Sequence, residues 1–466
     1  MNYVEIVNLV FSIIFGILTL LSVFYVIFAV VSVFKKKTYP EAKKQGKYGI
    51  IIPARNEAKV IGNLIESIQQ AKYPQDKLHI FVIAHNCSDN TAEVARNYGC
   101  TVYEYNNKEE ATKGYGLKYL FKQIEKDYGI QSFDGYFILD SDNIVSSNYF
   151  TKMNDAFMYY GCKNIVASFR NSKNFGKGII PGLYGIYFAI GCFLESRGRT
   201  VCNCSTRVTG TGYVINSESL KDGWNYVTIT EDWELTVDQI LAGNKVQYCE
   251  DAIFYDEQPT SFKIMWRQRV RWKRGHYLVF YYRFKEILSH LFSRKGKFKV
   301  TLYDIAYNIS PIVITFFLLT VLQAGLLLMG PLFTDMSLWD IFINYDYSTN
   351  FFMNLVFKNY DYNTNWFMNL LLHQNSAYLF SSLRTILLGY FGMVFMAILC
   401  FIMGRKKIRH VNFFLKIALI IIWPAFLAIQ FLIDIHALFV KNLAWKTIPH
   451  ADDTNIEKLK DAGNEL

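Results

Sequence analysis

Apolar positions in this chain gather into long runs near its two ends, and polar positions into one block between them. Ile6 to Phe34 carries no charged residue. The run exceeds the roughly 20 residues that cross a bilayer core, so a tilted span is expected there. It does not read as a secretory leader, because no basic segment precedes it, no small-residue cleavage site closes it, and Lys35-Lys36-Lys37 follows it. Three further runs, about Ile305 to Leu328, Tyr378 to Met403 and Phe413 to Ile433, have spanning length. Pro424 leaves the last of them open between a full span and a re-entrant segment. The positive-inside rule puts Lys35 to Lys37, the basic segment before Ile305 and Arg405 to Arg409 in the cytoplasm. The loop 329–376, whose only Lys or Arg is Lys358, belongs outside. These choices imply an integral cell-membrane protein with a cytoplasmic central block and both termini outside.

Within the block the period changes. Short β-like runs at Tyr48 to Pro53, about Leu78 to Ala84, Thr101 to Tyr105 and Gly135 to Leu139 alternate with helical patterns at Ala58 to Gln70, Thr91 to Tyr98 and Gly114 to Tyr128. Alternation of this kind predicts a largely parallel α/β sheet, and such sheets bind ligands outside the carboxyl ends of their strands. The polar clusters Arg55-Asn56-Glu57, His85 to Asp89 and Asp140 to Asn143 fall at those ends, which marks a nucleotide-binding domain. The domains expected are a span in 1–36, the cytoplasmic domain 47–262, amphipathic interface helices over 263–299, a membrane region 300–440 and a polar tail 441–466.

The formal net charge of +10 comes from 49 Lys and Arg against 39 Asp and Glu. The densest basic stretch, Arg267 to Lys299, is interleaved with Trp272, Leu278, Phe280, Phe284 and Leu288 and precedes a span. That mixture fits a helix on an anionic lipid surface better than a nucleic-acid site, so the bilayer is a partner and nucleic acid is not. Cys202 and Cys204 form a Cys-x-Cys pair without a second pair at zinc spacing. The segment Asn344 to Leu355 recurs as Asn359 to Leu370, a local duplication or an aromatic sugar-contacting surface.

Four motifs carry chemistry. Asp140 and Asp142, one residue apart at a strand end, suit Mg²⁺ or Mn²⁺, hard cations held by few protein oxygens plus phosphates and waters. An ordinary Asp-rich turn is the plain alternative. Asp232 in Thr230-Glu231-Asp232 is a general-base candidate for a sugar hydroxyl; the same triplet also reads as a helix start capped by Thr230. In Gln268-Arg269-Val270-Arg271-Trp272, Arg271 offers a planar fork for phosphate and Trp272 a face for a sugar ring. An interfacial helix would use Arg and Trp as well.

With these motifs in order, the chain resembles the membrane-integrated, processive family-2 glycosyltransferases, such as the cellulose, chitin, hyaluronan and poly-N-acetylglucosamine synthases. The resemblance covers about residues 47–275. It implies a GT-A-like, Rossmann-like α/β domain that binds a uridine diphosphate sugar through Pro53, Arg55, Asn56 and Glu57, the Lys113-Gly114-Tyr115-Gly116-Leu117 element, Asp140, Gln268 and Arg271. It implies a metal–diphosphate site at Asp140 and Asp142, catalytic Asp232 with Glu231, and acceptor contacts from Gly210, Thr211, Gly212 and Trp272. His85 stands where many relatives carry the Asp that meets the nucleoside, with Asp89 further along the turn. The expected activity is inverting, processive extension of a β-linked glycan that leaves through the protein's own spans. The rivals are a transferase adding one sugar to a lipid and a silent scaffold or transporter; the intact Gln-x-x-Arg-Trp opposes the first and the intact Asp140, Asp142, Asp232 and Trp272 the second.

Overall fold

The computed structural model describes residues 3–292, 322, 326, 376–408, 411–440 and 454–461. They fall into two compact units, one drawn from Met1–Val26 and Ser310–Phe395, the other from Ile27–Ile309 and Met396–Leu466. Helix α1 (Tyr3–Phe34) takes up the first apolar run. Residues 293–299, the expected span at 305–328 apart from 322 and 326, the loop 329–375 with its repeat and most of the tail lie outside the described residues.

The second unit is built on one eight-stranded sheet, in the order β3-β2-β1-β4-β7-β6-β8-β5, the last being the short edge strand Ile144–Val145. Its centre is β1 (Tyr48–Ala54), a nearly continuous buried apolar run of the kind a parallel strand covered on both faces requires. It pairs in parallel with β2 (Leu78–His85) on one side and β4 (Gly135–Ile138) on the other, and β2 pairs with β3 (Thr101–Tyr105). Alternate β1 side chains feed opposite cores. Ile50 and Ile52 meet Ile61, Leu64, Ile65 and Ile68 of α2 (Ile61–Gln69), together with α5 (Tyr149–Tyr159). Ile51 faces Leu117, Leu120, Phe121 and Ile124 of α4 (Lys113–Asp127). Each helix shows its stripe at the i, i+3, i+4, i+7 spacing that one buried face demands.

The sheet's other half is mixed rather than parallel, and its direction matters for the site. β7 (Tyr213–Asn216) runs antiparallel to β4 and to β6 (Ile165–Ser172), while β8 (Val246–Asp256) runs parallel to β6. The carboxyl ends of β1, β2, β3, β4, β6 and β8 therefore share one edge with the amino end of β7. This arrangement brings Gly210 to Gly212 and Asp256 to the edge already holding Asp140.

Residues Ile179–Val201 form a continuous helix, α6 (Ile179–Ile190), a π segment (Gly191–Ser196) and α7 (Arg197–Val201). Two helices among the described residues are long and apolar enough to cross a membrane, this one and Phe413–Phe439. The first is mostly buried and packs on β6, where Arg170 lies 3.7 Å over the Phe188 ring, so we assign it to the core of the sheet domain. The amphipathic stretch is one 31-residue helix, α9 (Phe262–Phe292), which follows α8 (Glu231–Leu241) and β8. Next come α10 (Ser376–Met403) and α11 (Phe413–Phe439), the latter continuing through Pro424.

Candidate active site

The rim of the site is three turns tied together by short polar side chains. Asn56 and Asn86 adopt φ of +59° and +53°, a left-handed conformation that Asn tolerates better than most residues. Asn56 Oδ1 accepts from the Ser88 backbone N–H at 2.7 Å, joining the turn after β1 to the turn after β2. Asn86 exchanges hydrogen bonds with the Asn107 backbone beyond β3. Asp89 accepts from the backbone N–H groups of Ala58 and Thr91 and so ties these turns together. His85 is buried and stacks on Tyr105, which stacks on Tyr119. Burial lowers its pKa, as does Arg55, so the ring is neutral at pH 7.

At the centre stands Lys113, in the first turn of α4. Its Nζ lies 2.6 Å from Asp140 Oδ1, donates to the Gly210 carbonyl at 2.8 Å, and is 3.4 Å from Glu231 Oε1. One ammonium thus gathers the end of β4, the loop before β7 and the start of α8. Gly210 has φ +86° and Gly212 φ +70°, conformations that favour glycine, and a Cβ on Gly212 would sit 2.0 Å from the Phe254 ring. Thr211 donates from Oγ1 to Asn143 at 2.6 Å and accepts from the Asp140 backbone N–H at 2.8 Å, which fixes the turn that follows β4.

Glu231 and Asp232 open α8, where a helix amino end favours carboxylates. Thr230 occupies the N-cap position, but its hydroxyl makes no capping bond. Burial pushes Glu231 up to about 7, against the pull of Lys113 and with the push of Asp232. Asp232 is raised as well, by burial first. For Lys113, burial works downward, but Asp140 and Glu231 prevail and hold it above the ordinary lysine value. Arg271 is half-buried, and the loss of solvent lowers its pKa; Glu231, Asp232 and Asp140 are the charges that oppose the drop, so its guanidinium completes the charge cluster.

The pentad divides by helical face. Gln268 accepts from the Tyr184 hydroxyl at 2.8 Å, and Trp272 lies edge-on to Tyr184 and Phe188. Asp142 is buried; its Oδ1 accepts from Asn143 Nδ2 at 3.0 Å and its Oδ2 from the Glu257 backbone N–H at 3.0 Å. Behind it stands a group that the motifs did not announce, Asp256 held by Arg170 at 2.7 Å. Burial raises Asp256 to about 6, with Arg170 opposing and Asp142 adding. Arg170, Tyr184 and Asp256 come from β6, α6 and β8, elements without a polar motif; only the carboxyl-end rule, applied to β6 and β8, would have found two of them.

All the expected site residues thus lie on the shared strand edge, on the starts of α4 and α8, or on α9. Among the described residues no group of three or more His, Cys, Asp or Glu forms a self-sufficient metal site.

Residues 45–275 match a family model described as "Glycosyltransferase like family 2". The chain is 25% identical over 304 residues to a probable glycosyltransferase, YdaM, of Bacillus subtilis, covering 64% of this chain and 69% of that protein. It is 23% identical over 241 residues to a poly-β-1,6-N-acetyl-D-glucosamine synthase of Staphylococcus epidermidis, covering 49% of this chain and 54% of the synthase. Among solved structures, a mannosyltransferase of Pyrobaculum calidifontis in complex with GDP-mannose and Mn²⁺ aligns with a TM-score of 0.47 at 14% identity, covering 73% of this chain and 92% of that one. The TarS fragment 1–349 of S. aureus in complex with UDP-GlcNAc aligns at 0.36 and 15%, covering 56% and 73%. Residues 45–275 are a family-2-like glycosyltransferase domain with a GT-A-like α/β fold, and the protein is a glycosyltransferase.

Proposed function

We propose that this enzyme is an inverting, processive synthase, integral to the cell membrane, that extends a β-linked glycan from a UDP-sugar and passes it out between its own spans. The observation that carries this reading is the meeting of Lys113, Asp140, Glu231, Asp232 and Arg271 in one charge cluster, with Trp272 on the same helix as Arg271. In this reading Pro53, Arg55, Asn56, Glu57 and His85 line the nucleoside side at the ends of β1 and β2. Asp89 positions the turns rather than touching the donor. Arg271 and Gln268 approach the diphosphate, and Gly210 to Gly212 with Trp272 take the acceptor sugar. Asp232 removes the proton of the acceptor hydroxyl as that oxygen attacks the anomeric carbon and the bond to the diphosphate breaks. Attack from the side opposite the leaving group inverts the centre.

The donor set fits a divalent cation only with help from substrate. Asp142 and Asp140 offer hard oxygens, and among the described residues no third carboxylate ligand joins them, which suits a shell completed by phosphates and waters. Mg²⁺ or Mn²⁺ bound there would neutralise charge on the leaving diphosphate. Activity is therefore expected to vanish with a chelator and to fall severely in Asp142→Asn; full turnover of that variant in chelator would remove the cation from the reaction.

The membrane placement draws on two contacts. Lys36, just beyond α1, pairs with Asp251, and Lys407, between α10 and α11, donates to the Glu250 carbonyl at 2.7 Å. Both basic flanks thus meet β8 of the glycosyltransferase domain, as they must if all three share the cytoplasmic side.

The test is a panel of radiolabelled UDP-sugars, UDP-N-acetylglucosamine first because relatives are named as synthases of its polymer. Inverted vesicles are expected to yield long product shielded from added glycanase until detergent is supplied. Single-sugar glycolipid would establish the non-processive reading, and polymer digestible without detergent would assign transport to a partner.

A further inference from the structure

Helix α9 has a second face, and α11 reads it. Gln268, Arg271, Trp272 and Gly275 recur at the three- and four-residue spacing of one stripe, toward the site. Trp266, Arg269, Val270, Lys273 and Tyr277 form the opposite stripe. Along that second stripe Trp266 donates from Nε1 to His436 Nδ1 at 2.8 Å, and Arg269 donates from Nε to Gln430 Oε1 at 2.9 Å. Lys273 pairs with Asp434 at 3.5 Å, and Gln430 donates to the same carboxylate at 2.5 Å. Val270 packs between Ile433 and Ala437. Arg269 and Val270, the two x positions of Gln-x-x-Arg-Trp, thus contact α11 rather than the site.

Asp434 is the only carboxylate in a helix that is otherwise long and apolar enough to cross a membrane. An ionisable residue in such a helix is costly unless paired, and it marks function more often than stability. On the opposite side of α9 the fit is equally tight. A Cβ on Gly275 would come 2.3 Å from Thr230 Oγ1, the residue before Glu231 and Asp232. The rotation of α9 about its axis is therefore fixed from both sides, by α11 and by the start of α8.

We infer that Gln430 and Asp434 of α11 are positioning residues for the acceptor side: by fixing the rotation of α9 they set where Trp272 stands relative to Asp232. The inference rests on the reading of Trp272 as an acceptor contact. It makes the length of the product, more than retention of the nucleotide, depend on the last apolar helix.

The test uses full-length enzyme in nanodiscs with Asp434→Leu, Gln430→Leu, and the charge exchange Lys273→Asp with Asp434→Lys. Mean product length is expected to fall at least fivefold in both Leu variants, while UDP affinity stays within threefold of wild type. The exchange is expected to restore at least half of the length. A role in folding alone would lower length and UDP affinity in step and would not be rescued; that result, or unchanged length in both Leu variants, overturns the inference. Spin labels at Tyr281 on α9 and Lys221 in the glycosyltransferase domain supply a readout that needs no polymer. Their distance distribution is expected to broaden in Gln430→Leu, and an unchanged distribution overturns the positioning. Should wild-type enzyme make no polymer from any UDP-sugar, the proposed function fails on its own while the label distances still decide this point.

Discussion

Asp232→Asn is expected to abolish polymer formation while leaving the donor bound. The substitution keeps the shape of the side chain and removes its ability to take a proton. Loss of a general base alone predicts a fall of about 10² to 10⁴-fold in turnover. Asp232 sits at the start of α8, where the helix amino end holds a carboxylate in place, and its Oδ2 lies 4.0 Å from where a Cβ on Gly210 would be. In the proposed reading base and acceptor loop are thus adjacent, whereas the nucleoside contacts lie further along the same edge, at the carboxyl ends of β1 and β2. UDP affinity should stay within about twofold, since a shift of one pKa unit's worth of energy, about 1.4 kcal/mol, would already be tenfold. Isothermal titration with UDP alongside single-turnover rates separates the two effects. If affinity fell by the same factor as turnover, Asp232 would be a binding residue.

The half of the fold that follows local periodicity was legible in advance. Tyr48–Ala54, Leu78–His85, Thr101–Tyr105 and Gly135–Ile138 lie within a residue of where alternation put them, because each is a short apolar run ended by a polar turn. The second half was not. β7 earns its antiparallel place through pairing with β4 and β6, a long-range fact with no local period. The first part of helix Ile179–Val201, Ile179–Ile190, carries no charged residue on any side, so it has no stripe to announce a buried face. The site divides in the same way. Asp140, Asp142, Asp232 and Arg271 stand out as motifs, while Asp256 and Arg170 belong to no motif and only the sheet brings them beside Asp142. Lys113 was visible through resemblance alone; its three partners come from positions 140, 210 and 231, and no spacing encodes that meeting.

Lys113→Met is expected to damage both stability and the pH profile, in a way that distinguishes an electrostatic hub from a packing residue. Methionine keeps most of the chain length and removes the charge, leaving Asp140, the Gly210 carbonyl and Glu231 without their shared donor. Breaking a buried pair from one side costs about 3–5 kcal/mol, and the low end applies here because the Asp140 side chain is 36% exposed and recovers solvation. Burial pushes Glu231 up to about 7 and raises Asp232 beside it as well, so the acid limb of kcat/KM, set by the pair that opens α8, is expected near that pH. Taking away the nearby cation raises Glu231 and Asp232 together, so the limb should move up by roughly one to two units. The sign for stability follows from the same shift. A carboxyl group whose pKa is raised by folding contributes stability while it is protonated, and loses it as pH rises through the folded value, here from the ordinary carboxyl range to about 7. In the variant Glu231 and Asp232 keep their protons at little cost at pH 6, whereas at pH 8, where wild-type Glu231 is charged beside Lys113, they must either hold a proton against the solution or carry an unpaired charge. The destabilisation should therefore be larger at pH 8 than at pH 6, read as the difference in thermal midpoint from wild type at each pH. Equal losses at both values, with an acid limb still near 7, would show that Lys113 is held by packing and does not set the charge state of the pair that opens α8.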